Sequence, residues 1–384
     1  MTNDGPERVG KSVRNRVLAS VAFLALVLGF GSLLVLALRA TDAGRTPGTS
    51  ARATVGPTVA TSPGIVTVPT PGTSPGASPG APQGTPAPQR RIALGAYIPG
   101  APGDPSRIDA YAKLTGAKPH IVMWYQAWEG SGVTFDPGAA DAVRKRGAMP
   151  VISWEPWIGK ANDPTWALST IISGKHDAYI RQWTRAVARW GHPIYVRLMY
   201  EMNGYWTSWS PGVNGNTADE FVRAWRHIVD IARHEGATNI RWVWAPNITS
   251  NDPRVSSYAS VFPGNDYVDW VGLDGFNWGT SRPTTRWRDL PILFERSIGE
   301  VRALSAKPLM IAEIGSSELG GDKPAWITDG FAQVVSNLPD ISALIWYNTI
   351  DQVKQVDWRV QSSTSSLNAF RAIAMSKAFS GTLP

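Results

Sequence analysis

The sequence predicts an α/β fold, a (β/α)8 TIM barrel preceded by one transmembrane helix and a disordered linker. Three observations predict the barrel. Eight apolar runs occur after residue 91, helical patterns lie between them, and residues 92–384 are enough chain for one large domain. Apolar strands that alternate with helices indicate a parallel sheet covered by helices, and eight such units are typical of this barrel.

The predicted strands are short apolar runs in chain order. They cover residues 92–98, 120–126, 148–154, 193–200, 240–246, 267–276, 307–313 and 343–348. An open doubly wound sheet is the alternative, and it usually carries a G-x-G-x-x-G turn after its first strand. The chain reads GAYIPGAPGDP at that point, which favours the closed barrel.

The predicted helices have apolar residues three and four positions apart, as the buried face of a helix requires. The clearest are residues 176–191 and 217–236, and each ends in glycine. In the second helix, Thr217 and Glu220 have the spacing of a capping box. Other helices are expected at residues 106–115, 137–147, 288–305, 324–337 and 366–379.

The N-terminal part of the chain predicts an anchor and a spacer. Residues 17–38 are uncharged and long enough for a transmembrane helix, and the basic segment 1–16 places that end in the cytoplasm. Residues 41–91 are dominated by Pro, Gly, Thr and Ser, which predicts a disordered linker. We expect a membrane-anchored protein with an extracytoplasmic domain at residues 92–384, or a secreted one if the anchor is cleaved.

Charge and composition exclude several functions for the predicted barrel. Residues 1–91 carry 9 Lys and Arg against 3 Asp and Glu, whereas residues 92–384 carry 28 against 27. The barrel is therefore nearly neutral, which argues against nucleic acid and suits a neutral partner. The chain has no cysteine, and its 5 histidines lack metal-ligand spacing. We expect a monomer with no metal, organic cofactor or nucleic-acid partner.

Aromatic, acidic and amide residues gather at the ends of the predicted strands, where barrels carry their active sites. Indole faces stack on sugar rings, while carboxylates and amides bind sugar hydroxyls. The combination predicts a cleft for a polysaccharide. The expected substrate-binding residues at these strand ends are Trp154, Glu155, Asn203, Trp206, Asn247, Asp274, Asn277, Trp278 and Trp346. Tyr125, Trp157 and Tyr347 also lie at strand ends.

Two glutamates end strands across the predicted mouth from one another. Glu201 closes the fourth strand in RLMYEMNGYW, and Glu313 closes the seventh in KPLMIAEIGSSE. Glycoside hydrolysis needs two carboxyl groups, one as proton donor and one as nucleophile or base. These glutamates are therefore the expected catalytic pair, and structural salt bridges at strand ends are the alternative.

The segments RLMYEMNGYW, YVDWVGLDGFNW and KPLMIAEIGSSE together resemble glycoside hydrolase family 26. The resemblance covers about residues 92–380 and implies a barrel enzyme that retains anomeric configuration. It implies that Glu201 is the acid/base and that Glu313 is the nucleophile.

The resemblance also implies roles for neighbouring residues. Arg197 matches an arginine that supports the nucleophile, Trp206 a sugar-stacking tryptophan, and Trp346 the aromatic floor under the reacting sugar. Two residues depart from the family pattern, and both are expected to bind substrate. Tyr200 stands where the family usually has histidine, and Phe276 where it often has a tyrosine bonded to the nucleophile. Specificity and pH optimum are expected to change with them.

The expected function is an endo-acting β-glycanase, with β-1,4-mannan as the first substrate. Mixed-linkage β-glucan (a lichenase-like activity) and β-1,3-xylan are alternatives within the family, and a non-catalytic, wall-anchored polysaccharide-binding protein is the alternative outside it. Some residues also have structural alternatives. Glu155 can cap a loop, and Asp274 and Asn277 can hold the loop after the sixth strand. Trp242 and Trp270 lie inside strands and are expected in the core.

Overall fold

Eight parallel strands close into a barrel in chain order, which confirms the predicted architecture. The computed structural model describes residues 90–130, 133–352 and 355–384. The barrel strands are β1 (Ala93–Tyr97), β2 (Ile121–Ala127), β3 (Met149–Glu155), β4 (Ile194–Leu198), β5 (Ile240–Trp244), β6 (Trp270–Asn277), β7 (Leu309–Ser316) and β8 (Ile341–Tyr347). Because β1 pairs with both β2 and β8, the sheet has no free edge.

The predicted N-terminal segments 1–16, 17–38 and 41–91 lie outside the described residues. The anchor and the linker therefore stay predictions. Within the described ranges, no helix is both long enough and apolar enough to cross a membrane. The first described residues lead directly into β1.

Helices surround the barrel, and most lie where the sequence predicts them. Those within the described residues are α1 (Ser106–Thr115), α2 (Pro137–Arg144), α3 (Leu168–Ile172), α4 (Asp177–Trp190), α5 (Ala218–His234), α6 (Leu290–Arg302), α7 (Lys323–Asn337) and α8 (Thr364–Ala374). The capping box of Thr217 and Glu220 is confirmed at the start of α5. Gly191 ends α4 with a left-handed φ of 73°, which a glycine adopts without steric cost.

The sequence does not predict several short elements. A 3-10 turn (Pro164–Trp166) and α3 lie between β3 and α4, and β9 (Ile350–Asp351) pairs with β10 (Val356–Asp357) after β8. One-turn helices and two-residue strands contain too few residues to show a period.

Successive side chains of each barrel strand point alternately into the barrel and toward the helices. On β3, Ser153 and Glu155 reach partners on or just beyond β4, whereas Trp154 stacks on Trp183 of α4 with ring centroids 4.1 Å apart. The outward side chains form a core layer between sheet and helices. Trp242 and Trp270 are 4% and 5% exposed, which confirms that they are core residues.

The alternation corrects the predicted roles of Trp154 and Trp346, which were expected to contact substrate. Both side chains are 0% exposed. Trp154 Nε1 donates to the Tyr179 hydroxyl at 3.0 Å, and Trp346 Nε1 donates to the Trp358 carbonyl at 2.8 Å. Trp346 also packs against Phe331 of α7. Indoles enclosed in this way pack the barrel against its helices and offer no face to a sugar.

The sheet changes register beside the predicted site. A shift lies between Leu273 and Asp274 on β6, after which Asp274 pairs with Glu313 of β7. The pairing of β7 with β8 also changes register, once between Leu309 and Met310 and again between Ile311 and Ile314. Irregularities of this kind re-aim side chains and are common next to active sites. Here Asp274 and Glu313 both reach Arg197 of β4.

Candidate active site

The backbone turns sharply where β4 ends, and this turn presents Glu201. Met199 and Glu201 have φ angles of 42° and 51°, a region that costs a non-glycine residue about 1–3 kcal/mol. The Glu201 N–H donates to the Ala245 carbonyl beyond β5 at 2.7 Å, which holds the turn in place. Backbone strain maintained by its surroundings is typical of functional sites.

Two neutral donors hold the Glu201 carboxyl group, which is 7% exposed. Trp206 Nε1 donates to Oε2 at 2.6 Å, and Asn247 Nδ2 donates to Oε1. Burial, followed by the charge of Glu313, raises the pKa of Glu201 above its ordinary value. A raised pKa keeps the carboxyl group protonated at higher pH, as a proton donor requires.

Glu313 lies in the same mouth, and a cation holds its carboxylate. Arg197 Nη1 donates to Oε1 at 2.6 Å, and the Tyr125 hydroxyl donates to the same oxygen. Glu313 is 4% exposed and is thus slightly more buried than Glu201. Charge-assisted hydrogen bonds of this kind fix the orientation of a carboxylate. The two glutamates therefore share a residue type and a location but have different partners.

Arg197 is fully buried and joins carboxylates on β6 and β7. Its Nη2 donates to Asp274, its Nη1 also donates to Ser153 Oγ at 2.9 Å, and its guanidinium lies 4.0 Å from the ring centre of Tyr200. Burial is the largest effect and lowers the pKa of Arg197, but Asp274 and Glu313 together raise it well above its ordinary value. Arg197 therefore remains a cation beside Glu313.

Three predicted substrate-binding residues are 0% exposed and contact the protein instead. Asp274 pairs with Arg197. Asn203 donates to the Asn247 carbonyl at 3.0 Å and accepts from the Asn247 N–H at 2.8 Å. Asn277 accepts from two backbone N–H groups of the loop after β6. The prediction that these three contact substrate is corrected: they position residues that line the mouth.

Glu155 and Tyr200 form a hydrogen-bonded pair beside the two catalytic candidates. The Tyr200 hydroxyl donates to Glu155 Oε1 at 2.7 Å, and Trp157 Nε1 donates to Oε2 at 3.1 Å. The pKa of Glu155 is raised to about 7, because the effect of burial outweighs these donors and Arg197, which lower it. Glu155 is 4% exposed, and it is a further carboxyl group in this mouth beside Glu201 and Glu313.

Tyrosines, not tryptophans, form the inner aromatic surface around Glu313. Tyr97 stacks on Tyr347 with ring centroids 5.0 Å apart, and Tyr125 meets Tyr97 edge-on at 5.2 Å. Phe276 packs against Tyr347 at 5.5 Å. Tyr125 and Tyr347 were recognised in the sequence as strand-end residues, but neither they nor Tyr97 were among the expected substrate-binding residues. The two-residue alternation would have favoured Tyr347 over its neighbour Trp346, since only one of the two can face inward.

The structure brings the remaining predicted residues to the mouth. Trp206, Asn247, Phe276 and Trp278 are each partly exposed there. The Trp278 ring is not an open platform, because the Arg282 guanidinium lies 3.5 Å from its centre. Among the described residues, no group of three His, Cys, Asp or Glu could hold a metal ion.

A closed (β/α)8 barrel with one glutamate after β4 and another on β7 has the architecture of glycoside hydrolases that use paired carboxylates. The chain belongs to glycosyl hydrolase family 26, which confirms the resemblance. The family model matches residues 164–318. Endoglucanase H from Acetivibrio thermocellus is 34% identical over 283 residues, which are 73% of this chain and 30% of that protein.

Other relatives match shorter stretches. Beta-1,3-xylanase TXYA from Vibrio sp. is 29% identical over 127 residues, or 31% of this chain and 26% of that protein. Mannan endo-1,4-beta-mannosidase A and B from Caldalkalibacillus mannanilyticus is 30% identical over 133 residues, or 33% of this chain and 23% of that protein. The chain thus spans less than a third of the length of these relatives.

A solved structure shares the fold. A GH26 beta-mannanase from Bacteroides ovatus superposes with a TM-score of 0.55 at 20% identity, covering 76% of this chain and 90% of that one. At this identity the similarity supports the barrel fold alone.

Proposed function

We propose that the chain is a retaining endo-β-glycanase, which hydrolyses a β-linked polysaccharide by double displacement. The observation that supports this most is the contrast between two glutamates in one barrel mouth. Glu201 has neutral donors and a raised pKa, whereas Glu313 is paired with a buried arginine. When two carboxyl groups lie in environments that favour different protonation states, one is suited to act as the acid and the other as the nucleophile.

In the first proposed step, a Glu313 oxygen attacks the anomeric carbon while Glu201 gives its proton to the glycosidic oxygen. The bond to the leaving sugar breaks as the ester to Glu313 forms. In the second step, ionised Glu201 takes a proton from water, and the water oxygen displaces Glu313. Both glutamates return to their starting states. Arg197 and Tyr125 orient the Glu313 carboxylate for its attack.

The first proposed substrate is β-1,4-mannan, which rests on the resemblance of the three strand-end segments to the family. Mixed-linkage β-glucan is the second candidate, because a protein named Endoglucanase H is 34% identical over 73% of the chain. Tyr200 supports a substrate other than mannan, since its hydroxyl is directed to Glu155. A relative named Beta-1,3-xylanase keeps β-1,3-xylan as a third candidate.

The test incubates the full chain with mannan, glucomannan, mixed-linkage glucan and β-1,3-xylan and measures new reducing ends. Glu201→Ala and Glu313→Ala are assayed beside it. We expect one polymer to yield short oligosaccharides, with the β-anomer formed first in proton NMR. Cleavage that survives in Glu313→Ala, or initial release of the α-anomer, would overturn the mechanism.

A non-catalytic polysaccharide binder is the alternative function. Binding to a polymer without release of reducing ends, in a folded preparation, would favour it. The paired glutamates and their different partners argue against a binder. Binding alone does not require two carboxyl groups in surroundings that favour different protonation states.

We also propose that residues 17–38 anchor a monomeric catalytic domain outside the cytoplasm and that residues 41–91 act as its spacer. The uncharged stretch and the Pro-, Gly-, Thr- and Ser-rich composition support this. The full chain should sediment with membranes, whereas a chain lacking residues 1–40 should stay in the supernatant.

A further inference from the structure

An exposed arginine is joined by direct contacts to the residues around Glu201. The Glu201 carboxyl group accepts from Trp206 Nε1 at 2.6 Å, and the Trp206 ring meets the Tyr205 ring edge-on at 5.2 Å. The Arg254 guanidinium lies 3.8 Å from the centre of the Tyr205 ring, and its Nη2 donates to the Tyr205 hydroxyl at 2.8 Å. Arg254 therefore lies two side chains away from the proposed acid/base.

Asp252 fixes the orientation of the Arg254 side chain. Arg254 Nε donates to Asp252 Oδ1 at 2.9 Å and Nη2 donates to Oδ2 at 2.5 Å, which makes the pair bidentate. The Arg254 backbone N–H also donates to Oδ1 at 3.0 Å. These hydrogen bonds lower the pKa of Asp252 to about 2, so its carboxylate stays ionised and offsets the charge of the guanidinium. We call Tyr205, Asp252 and Arg254 together the arginine clamp.

The loop after β5, which carries Asp252 and Arg254, is tied to its neighbours on both sides. The Ser256 N–H donates to the Asn203 carbonyl at 2.8 Å, next to the turn that presents Glu201. Arg296 of α6 donates to Asn251 Oδ1 at 2.8 Å. A recognition group that is held in place before its ligand arrives loses less entropy on binding.

Arg254 keeps donors that solvent can reach. Its side chain is 59% exposed, and its Nη1 makes no hydrogen bond within the described residues. Nη1 carries two N–H groups, and the rings of Tyr205 and Trp206 beside it are partly exposed. Accessible donors next to aromatic rings are the features that bind a sugar, because hydroxyl groups accept from the donors and ring faces cover the apolar parts.

The contacts of the arginine clamp determine which part of a glycan it can reach. In the proposed displacement, the leaving oxygen departs from the side of the anomeric carbon opposite Glu313, and Glu201 gives it a proton. The clamp is joined to Glu201 through Trp206, and no hydrogen bond joins it to Glu313 within the described part of the chain. A leaving chain that passes Glu201 therefore extends toward Arg254.

We propose that Arg254 binds a sugar on the leaving-group side of the cleft, where its Nη1 donates hydrogen bonds to neutral hydroxyl groups. This rests on the proposed hydrolase mechanism and adds a specificity-determining residue to it. The carboxylate of Asp252 disfavours a uronic acid at this position, because like charges repel. The same position can hold an acceptor sugar in the second step. Its hydroxyl group then gives a proton to Glu201, and its oxygen displaces Glu313.

The test compares substrates with and without a leaving sugar in the full chain. The probes are aryl β-glycosides of gluco-, manno- and xylo-oligosaccharides, assayed by release of the aryl alcohol, and the same oligosaccharides without the aryl group, assayed by release of sugar. Arg254→Met keeps the apolar stem and removes the donors. We expect it to lower kcat/KM about tenfold for the oligosaccharides and less than about twofold for aryl release, because the aryl group offers no sugar hydroxyls to Arg254.

A second measurement adds a free oligosaccharide as acceptor during turnover of the aryl glycoside. The glycosyl ester on Glu313 then divides between water and the acceptor, and Arg254→Met should lower the transferred fraction about tenfold. Arg223→Met is the matched control, since Arg223 is similarly exposed and donates to Asp219 at 2.7 Å on α5, on the outside of the barrel. It should change neither measurement.

The outcomes separate this inference from the proposed function. Equal losses on both kinds of substrate, or an unchanged transferred fraction, in folded Arg254→Met would overturn the inference alone. Arg254→Gln replaces the methionine variant if that variant unfolds. More efficient transfer to a uronate acceptor than to a neutral one would overturn the assignment to a neutral sugar. No cleavage of any probe by the unmutated chain would overturn the hydrolase proposal and this inference together.

Discussion

The ends of β4 and β7 carry the same residue type in opposite surroundings. Glu201 follows a left-handed turn and is held by an indole and an amide. Glu313 lies in a strand and is held by a guanidinium and a phenol. The difference teaches that the burial of a carboxyl group and the charges beside it, and not the residue type itself, suit it to give a proton or an electron pair.

The sharpest test of this contrast removes each carboxyl group in turn. Glu313→Ala should lower kcat by about 10⁴-fold or more, because no nucleophile remains. Glu201→Ala should lower it by about 10²–10⁴-fold, because acid/base assistance is lost. Azide should restore turnover in Glu201→Ala alone, as it attacks the covalent intermediate without needing a base.

The control for the Glu201→Ala and Glu313→Ala variants is a substrate with a good leaving group, such as an aryl glycoside. Its first step needs no proton, so Glu201→Ala should cleave it in a burst followed by slow turnover. Azide rescue of Glu313→Ala with retained configuration would reverse the assigned roles.

A smaller effect is expected from the phenol that holds Glu313. Tyr125→Phe removes one hydrogen bond to a charged group and should lower kcat about tenfold with little change in KM. Tyr97→Phe is the control, because its ring packing remains and, among the described residues, its hydroxyl makes no hydrogen bond to Glu313. Equal losses in the two variants would show that packing, not the hydrogen bond, matters.

The donor that holds Glu201 should control the alkaline limb of activity. The Trp206 N–H lowers the pKa of Glu201, so Trp206→Phe should raise that pKa. Glu201 works as an acid only while protonated, and activity falls as pH rises through its pKa. The alkaline limb of kcat/KM should therefore move upward, by about one pH unit or less. A downward shift would contradict the assignment of Glu201 as the acid.

The least effect on activity is expected from the outward tryptophans. Trp154→Phe should lower the free energy of unfolding by about 1–3 kcal/mol while KM stays unchanged, because the indole packs on α4. Trp346→Phe should behave alike. A raised KM with unchanged stability would show that the side chain does contact substrate, and would remove the distinction between inner and outer aromatic layers.

The sequence was sufficient for the barrel and its order of strands, because alternating apolar runs and helical patterns each involve many residues. It also singled out Glu201, Glu313 and Arg197, which the structure brings together at the ends of β4 and β7. Their catalytic roles stay proposals. Long-range spacing was informative because strand ends of a parallel barrel meet at one rim.

Sequence reasoning failed where a shift of one position along a strand decides whether a side chain points into the barrel or toward the helices. Trp346 and Tyr347 are neighbours, and strand alternation sends one outward and one inward. The register shift on β6, which aligns Asp274 with Glu313, leaves no signal in residue types. The contact of Tyr125 with Glu313 joins strands on different sides of the barrel, so no local pattern contains it.

Asn203 links two loops into one cooperative unit. Its side chain bonds both backbone groups of Asn247, its carbonyl accepts the Ser256 N–H at 2.8 Å, and Tyr258 donates to the Asn247 carbonyl at 2.9 Å. Asn247 in turn holds Glu201. The Asn247 amide proton should therefore exchange with solvent only when this whole unit opens, and each opening event would also release Glu201, the proposed proton donor.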